Sequence, residues 1–250
     1  MSGDLRFAHE LADLADAITL GRFGARDLRV ETKPDLTPVS EADRGAEQAI
    51  REHVAASHRN EGVLGEEFGD DGGDAKWIVD PIDGTMNYVR GVPVWATLLA
   101  LERDGVVVLG LASAPALGRR WWAVRGGGAF VDGEPCRVSA VTQLEDCAVS
   151  TTSARHMPAG WGTIVQRAWS NRGLGDFWQH CLVAEGAVDV ATDGPSLQVW
   201  DYAPVQIIVD EAGGRCSTFD GSEPAPGGTL VSTNGLLHDE VVALLALGDG

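Results

Sequence analysis

Ala8, Leu11, Leu14, Ala15 and Ile18 recur at three- and four-residue intervals, predicting an amphipathic helix over 4–23. Asp4 lies near its start, where the helix dipole favours an acid, and Gly21 and Gly24 bracket its end. The polar stretch 31–39, ETKPDLTPV, carries two prolines and predicts an ordered loop. Ser40 then begins a second helix, with Asp43 three residues on as an acidic capping box and Ala46, Ile50 and Val54 as the buried stripe. The two helices are expected to pack side by side on a sheet. Two short apolar runs, 63–65 and 77–79, are each followed at once by carboxylates, as strands would be whose C-terminal ends deliver acids to one place. Longer strands are predicted at 94–102, 106–113 and 120–125, with hairpin turns at Asp104-Gly105 and Asp132-Gly133. Of the adjacent Trp121 and Trp122, one ring should face the core and the other a helix or a partner subunit. The glycine-containing acidic stretch 69–74 is expected to be a mobile surface loop.

Beyond about residue 145, strands and helices alternate. Strands are predicted at 147–152, 188–191, 215–219 and 229–233. Helices are predicted near 160–169, 177–186, 202–212 (with Pro204 in the first turn, where it is tolerated) and 236–247. The chain thus divides into two halves, 1–144 with helices and a mostly antiparallel sheet, and 145–250 as a second layered α/β unit.

Composition sharpens this picture in two ways. The 44% apolar and 22% charged residues are those of a globular chain. Nineteen basic against 37 acidic residues leave a net charge of −18, a field that repels nucleic-acid phosphates and anionic lipid. Neither is an expected partner, and an anionic substrate would need a cation to offset the field. Cys136, Cys147, Cys181 and Cys216 are too far apart for a CxxC site and suggest no disulfide framework. The acidic N-terminus lacks the pattern of a secretion signal, and no run of about 18 apolar residues is present to cross a membrane. The expectation is a soluble, cytoplasmic protein.

Candidate chemistry concentrates between Glu61 and Asp83, where eight acids face one base, Lys76. Asp80 and Asp83, three residues apart, cannot share a face of a regular strand, but a turn made by Pro81 and Gly84 would bring them together. Converging carboxylates repel unless one binds a proton or a cation lies between them, and an oxygen-only donor set suits Mg²⁺ better than zinc. Taken alone, a solvated surface turn explains the segment as well. Glu66 and Glu67 point opposite ways at a strand end, so one of them should join Asp80. Asp43 and Asp201 are each explained by capping the helix that follows.

Four segments together change that balance: Lys33 through Asp43 (KPDLTPVSEAD), Gly65-Glu66-Glu67, Trp77 through Asn87 (WIVDPIDGTMN), and Trp200-Asp201 followed by EAGG at 211–214. With these the chain resembles the inositol monophosphatase superfamily of Mg²⁺-dependent phosphomonoesterases, along nearly its whole length. RGLGDF at 172–177 leading into HCLVAEGAVDVA, and APALGRRWWA at 114–123, look like the bacterial histidinol-phosphate phosphatases of actinobacterial type. The resemblance implies an αβαβα sandwich with the cleft between the two halves, and hydrolysis of L-histidinol phosphate to L-histidinol and phosphate in histidine biosynthesis. It implies two or three Mg²⁺ ions, replaceable by Mn²⁺. Glu66, Asp80 and the carbonyl of Ile82 would hold one; Asp80, Asp83 and Asp201 a second; Asp43 with Glu66 would position a third ion or its water. Thr85, paired with Asp43, would orient the nucleophilic water, so Glu66, Thr85 and Asp43 are the expected catalytic residues. Gly84, Thr85, Asp176, Arg172, Asp201 and Lys33 would meet the substrate. Asp176 suits a substrate bearing an ammonium group, and capping the following helix is its other role. None of the six histidines falls in a matched ligand position; His180 is expected in the core or at the surface. Met86 and Pro204 depart from the family pattern without removing a ligand. A homodimer is expected from the resemblance. The alternatives are an inositol, sugar or nucleotide phosphatase of the same superfamily, and a non-catalytic metal-dependent binding protein.

Overall fold

A computed structural model describes every residue except 1–2, 35, 58–59 and 247–250. Helices α1 (Gly3–Arg22) and α2 (Glu41–Ala56) stand where the apolar periodicity places them. Between them β1 (Val30–Thr32) and β2 (Pro38–Ser40) form an antiparallel hairpin rather than the irregular loop the prolines predict. Pro38 opens its strand and Pro34 lies in the turn, positions where a missing N–H breaks no ladder bond.

The next eight strands form one sheet. They are β3 (Gly62–Gly65), β4 (Gly69–Asp70), β5 (Ala75–Asp83), β6 (Ala96–Arg103), β7 (Val106–Ala114), β8 (Arg119–Val124), β9 (Gly128–Val131) and β10 (Glu134–Cys136). The short helix α3 (Thr85–Val89) follows β5. The order is β10-β9-β8-β7-β6-β5-β3-β4, antiparallel throughout except for the parallel pair β3–β5. Part of the expected surface loop 69–74 is therefore an edge strand, since β4 pairs with β3. At both predicted hairpins the two turn residues take positive φ (52° and 75° at 104–105, 51° and 95° at 132–133), the twist that suits a two-residue hairpin.

A second sheet, in the order β12-β11-β13-β15-β14, is built from β11 (Ala148–Thr151), β12 (Ser170–Arg172), β13 (Val190–Leu197), β14 (Arg215–Ser217) and β15 (Gly228–Thr233). Its helices are α4 (Ala159–Arg167), α5 (Asp176–Ala184), α6 (Val199–Glu211) and α7 (His238–Leu245). The predicted end of the last helix, residue 247, lies outside the described residues. β12 is absent from the sequence-based expectation; three residues carry no alternation to detect.

Side-chain alternation sorts the layers. Trp77, Val79, Leu99, Leu101, Leu109 and Leu111 face α1 and α2. Their neighbours Ile78, Leu98, Ala100 and Ala112 face the opposite way, onto α5 and α6. On the second sheet Ala191 and Leu230 join that same central core, while Val149, Val190 and Val231 pack on α4 and α7. The result is the αβαβα sandwich. Trp121 is fully buried in the central layer, and Trp122 meets a helix, edge-on to His9 of α1 with ring centres 4.8 Å apart.

One boundary is corrected. α6 starts at Val199, not near residue 202, so Pro204 sits in its second turn and leaves the Trp200 carbonyl without a helical N–H partner. The earlier start follows from Asp201, whose carboxylate accepts the Gln198 backbone N–H at 2.6 Å and closes the first turn. Among the described residues, no helix is long and apolar enough to cross a membrane.

Candidate active site

The end of β5 is where the acids gather, and the device is a bulge, not the turn that the proline and glycine suggest. Asp80 stands opposite Leu98 and Asp83 opposite Ala96, so three steps along β5 match two along β6. The extra residue reverses the parity of the strand and lets side chains three apart share a face. Pro81, which cannot donate a ladder bond, sits within the bulge, and its carbonyl accepts the Thr97 hydroxyl at 2.8 Å. The Asp80 Oδ1 accepts the Ile82 N–H at 2.9 Å and the Asp83 Oδ2 the Phe177 N–H at 2.8 Å, the latter tying β5 to the start of α5.

Two further acids arrive on helix starts, and both occupy the third position of a capping box. In α2 the Asp43 Oδ2 accepts the Ser40 backbone N–H at 2.8 Å and its hydroxyl at 2.6 Å. Its other oxygen, Oδ1, lies 3.4 Å from Thr85 Oγ1, which also donates to the Ile82 carbonyl at 2.9 Å. Asp201 uses the same local device at the start of α6. Capping and site roles are thus not alternatives, because a carboxylate has two oxygens. One oxygen each of Asp80, Asp83 and Asp201 falls within 4.8 Å of the others.

The adjacent glutamates separate as the alternation requires. Glu66 lines the cleft; the Glu67 side chain is 4% exposed. Lys33, from the β1–β2 turn, spans both at 2.7 and 2.6 Å. Beneath them lies Glu47 of α2, fully buried, although nothing in its own segment distinguishes an acid one turn after Asp43 from a solvated helix face.

The cleft, about 570 Å³, is lined by Lys33, Glu66, Asp80, Ile82, Asp83, Gly84, Thr85, Met86, Asp176, Trp200 and Asp201 among others. Met86 stands exposed at its rim. An extension of about 300 Å³ shares Asp83, Asp176, Ser196 and Asp201 and adds His180 and Asp193. Asp176 is the first residue of α5, at φ 49°, and the residue before it, Gly175, is the cap; its Oδ2 accepts the Asn87 amide at 3.0 Å. Arg172, expected at the substrate, is not brought to this cleft. It lies exposed on edge strand β12 with its guanidinium on the Asn171 carbonyl at 2.8 Å. Bonds from Leu174 N–H to Ser150 Oγ (3.2 Å) and Asp176 N–H to Thr152 Oγ1 (2.9 Å) fold the intervening turn so that the aspartate faces inward. His180 opens the HCLVAEGAVDVA segment, but nothing in the sequence pairs it with Asp193. They meet at 2.9 Å, and Ser232 holds the other ring nitrogen at 2.8 Å.

Burial and mutual repulsion push these acids upward. Asp80 is held well above the usual carboxylate range by burial, then by Glu66 and Asp83; Asp83 by burial, then by Asp176 and Asp201. Burial raises Asp176 to about 7, with Asp193 adding, and Asp201 to about 7, against the Gln198 N–H. Burial also raises Asp43. Burial opposes the charge of Lys33, but Glu66 and Glu67 outweigh it and raise its pKa. Among the described residues Lys33 is the one cationic side chain lining the cleft. A cluster of hard oxygen donors that resist sharing negative charge fits a divalent cation such as Mg²⁺.

A stability profile follows. A carboxyl raised from its unfolded value of about 4 contributes stability that is full below that pH and is lost as pH rises through the folded value. For Asp176 and Asp201 that value is about 7. Metal-free protein in chelator should therefore show a falling Tm from about pH 5 to 8, and added Mg²⁺ should recover most of the loss at pH 8. A Tm in chelator that is flat or rises over this range, read by scanning calorimetry, would contradict the cluster's electrostatics.

The sequence profile of the inositol monophosphatase family matches residues 2–246. The chain is 51% identical to the histidinol-phosphatase of Mycobacterium tuberculosis over 98% of each chain. It is 48% identical to that of Streptomyces coelicolor, over 97% of this chain and 96% of the other. Among solved structures, an IMPase of Thermotoga maritima superposes with a TM-score of 0.90 at 35% identity, over 98% of this chain and 97% of that one.

Proposed function

The chain belongs to the inositol monophosphatase family, and from that premise we propose that it hydrolyses L-histidinol phosphate to L-histidinol and inorganic phosphate, a step of histidine biosynthesis. It is a phosphomonoesterase. One observation carries the reading: three carboxylates converge within 4.8 Å, and a fourth, Asp176, stands on the wall shared by the cleft and its extension. The first group suits metal-assisted phosphate hydrolysis; the fourth suits an ammonium on the leaving alcohol.

Asp80, Asp83, Asp201, Glu66 and the carbonyl of Ile82 would hold the metal, which when bound lowers the pKa of its water and offsets the phosphate's charge. Thr85 does the orienting. Its Oγ1 lies 2.9 Å from the Ile82 carbonyl and 3.4 Å from Asp43 Oδ1. With its one proton turned from the carbonyl to Asp43, it would accept a hydrogen bond from the attacking water, whose proton moves to Oγ1 as the Thr85 proton moves to Asp43. Asp43 is suited to that proton because burial raises its affinity for one. Backbone N–H groups of Gly84 and Thr85, at the start of α3, would meet the phosphate. Gly84 is required there: at φ 81° a side chain is strained, and a Cβ would meet the Val94 carbonyl at 3.0 Å. Lys33 ties Glu66 in the cleft wall to the shielded Glu67. Four free cysteines accord with a reducing cytoplasm.

Turnover of histidinol phosphate, inositol 1-phosphate, fructose 1,6-bisphosphate and adenosine 3′,5′-bisphosphate with Mg²⁺ tests the reading. Histidinol phosphate should give the highest kcat/KM by at least about tenfold, a preference worth about 1.4 kcal/mol. A higher value for any of the other three would overturn the substrate while leaving the chemistry.

A further inference from the structure

Glu47 stands one turn beyond Asp43 on α2 and is fully buried, an unusual place for a carboxylate. Its Oε2 accepts the Glu67 backbone N–H at 2.7 Å, and its Oε1 accepts the Phe68 N–H at 3.1 Å and the Arg51 Nε at 2.9 Å. Arg51 reaches on to Asp71 at 2.7 Å and to the Gly69 carbonyl, so its charge is shared along the segment that follows the turn. The carboxylate lies directly under the end of β3. A Cβ on Gly65 would come within 2.1 Å of Oε1, which explains why that strand ends in glycine.

We infer that Glu47 is a positioning residue for Glu66, fixing the turn that aims the Glu66 carboxylate into the cleft. The inference rests on the reading of Glu66 as a metal ligand. β3 and β5 run parallel, with Gly65 beside Val79, so the direction of the chain just after Gly65 sets where Glu66 lies relative to Asp80. The Glu66 N–H bonds the Val79 carbonyl at 3.2 Å, extending the ladder by one residue. Beyond that bond the next two amides leave the sheet and are taken up by Glu47 alone of the side chains they meet. A carboxylate accepts both amides and the guanidinium at once, whereas an amide side chain must present one donor to them. One helix thus carries both the acid behind Thr85, Asp43, and, a turn later, the anchor of a cleft-facing one, Glu66.

The test compares Glu47→Gln, Gly65→Ala and Glu66→Gln with the wild type. Glu47→Gln should weaken Mn²⁺ binding to metal-free protein by about 10- to 100-fold in calorimetry, the usual effect of losing the group that orients a ligand. Half-activation by Mg²⁺ should shift upward similarly, while kcat at saturating Mg²⁺ stays within about threefold and KM for histidinol phosphate is unchanged. Gly65→Ala, which displaces the carboxylate from the other side, should reproduce the shift and decides the matter if Glu47→Gln does not fold. In the wild type, amide exchange at Glu67 and Phe68 should be slow although Phe68 is exposed; fast exchange at both overturns the inference. A lower Tm with unchanged Mn²⁺ affinity in both variants also overturns it, leaving Glu47 a structural residue only. If Glu66→Gln leaves Mn²⁺ affinity and Mg²⁺ demand unchanged, the metal reading of Glu66 itself fails and the positioning role falls with it. If Glu66→Gln shifts them and the other two variants do not, the positioning role alone fails.

Discussion

Asp80→Asn loses at least about a thousandfold in kcat/KM at saturating Mg²⁺, while its metal-free form at pH 8 melts above metal-free wild type. Opposite signs in the two measurements are what separate a ligand from a structural residue. Asp80 is 2% exposed and is crowded by Glu66 and Asp83, and among the described residues no cationic side chain is bonded to it. Its ionised form is therefore a cost to the empty protein, tolerated only if a cation repays it. Asparagine keeps the size and the oxygen that accepts the Ile82 N–H at 2.9 Å, so the bulge persists. What disappears is one charge from a set that would bind a divalent ion, and with it the field that offsets the phosphate. A thousandfold corresponds to about 4 kcal/mol of transition-state stabilisation, comparable to removing one strong preorganised electrostatic contact. Relief of like-charge repulsion by about 1 kcal/mol would raise Tm by about 2–4 °C for a chain of this size. Calorimetric titration of the metal-free variant with Mn²⁺ should show binding lost. Unchanged turnover, or activity that survives complete chelation in the wild type, would end the metal-dependent reading.

Asp176→Asn separates the substrate from the chemistry. It should lower kcat/KM for histidinol phosphate by roughly 10- to 100-fold and leave a small uncharged phosphate ester within about threefold. A hydrogen bond to a charged group in a half-shielded cleft is worth about 1.5–3 kcal/mol, which sets that range. The structure makes the substitution cleaner than the sequence suggested. Gly175, not Asp176, caps α5, so no capping bond is lost. Asparagine also tolerates the left-handed backbone at φ 49° that most residues would resist. Asp176 is also among the acids that raise Asp83, so its neutralisation alters metal affinity. Both substrates are therefore compared at saturating Mg²⁺. An equal fall for both, with Tm unchanged, would assign Asp176 to metal electrostatics and remove it from substrate recognition. No fall in either would remove it from both.

How much of this was legible beforehand depends on how far apart the interacting residues lie. The helices α1 and α2, the hairpins at 104–105 and 132–133, and the capping box of Ser40 and Asp43 all follow from contacts within about one turn or one loop. Periodicity and turn chemistry report such contacts directly. The DPIDGT, GEE and WD segments likewise pointed to one acidic cleft through a family resemblance, which periodicity alone could not supply. At Asp80 and Asp83 the local sequence is ambiguous. Their convergence comes from an extra residue measured against β6, and a bulge exists only relative to its partner strand.

The same limit accounts for what was missed or misplaced. The proline-bearing segment 31–39 folds as a hairpin because its two arms pair with each other, a fact no proline count contains. Arg172 and Asp176 lie four residues apart and both suited a charged substrate; anchoring of the turn to Ser150 and Thr152 turned only the aspartate inward. Glu47, His180 and Asp193 are ordinary polar residues in their own segments. They become parts of the site by burial against strands and loops 13 to 52 positions away. By itself, then, the sequence determined most of the helices and longer strands, the cap of α2 and the family, because these depend on local spacing and on motif identity. Register, bulge and the burial of charge were decided only by the tertiary structure, because each is a relation between segments that meet after the chain has folded.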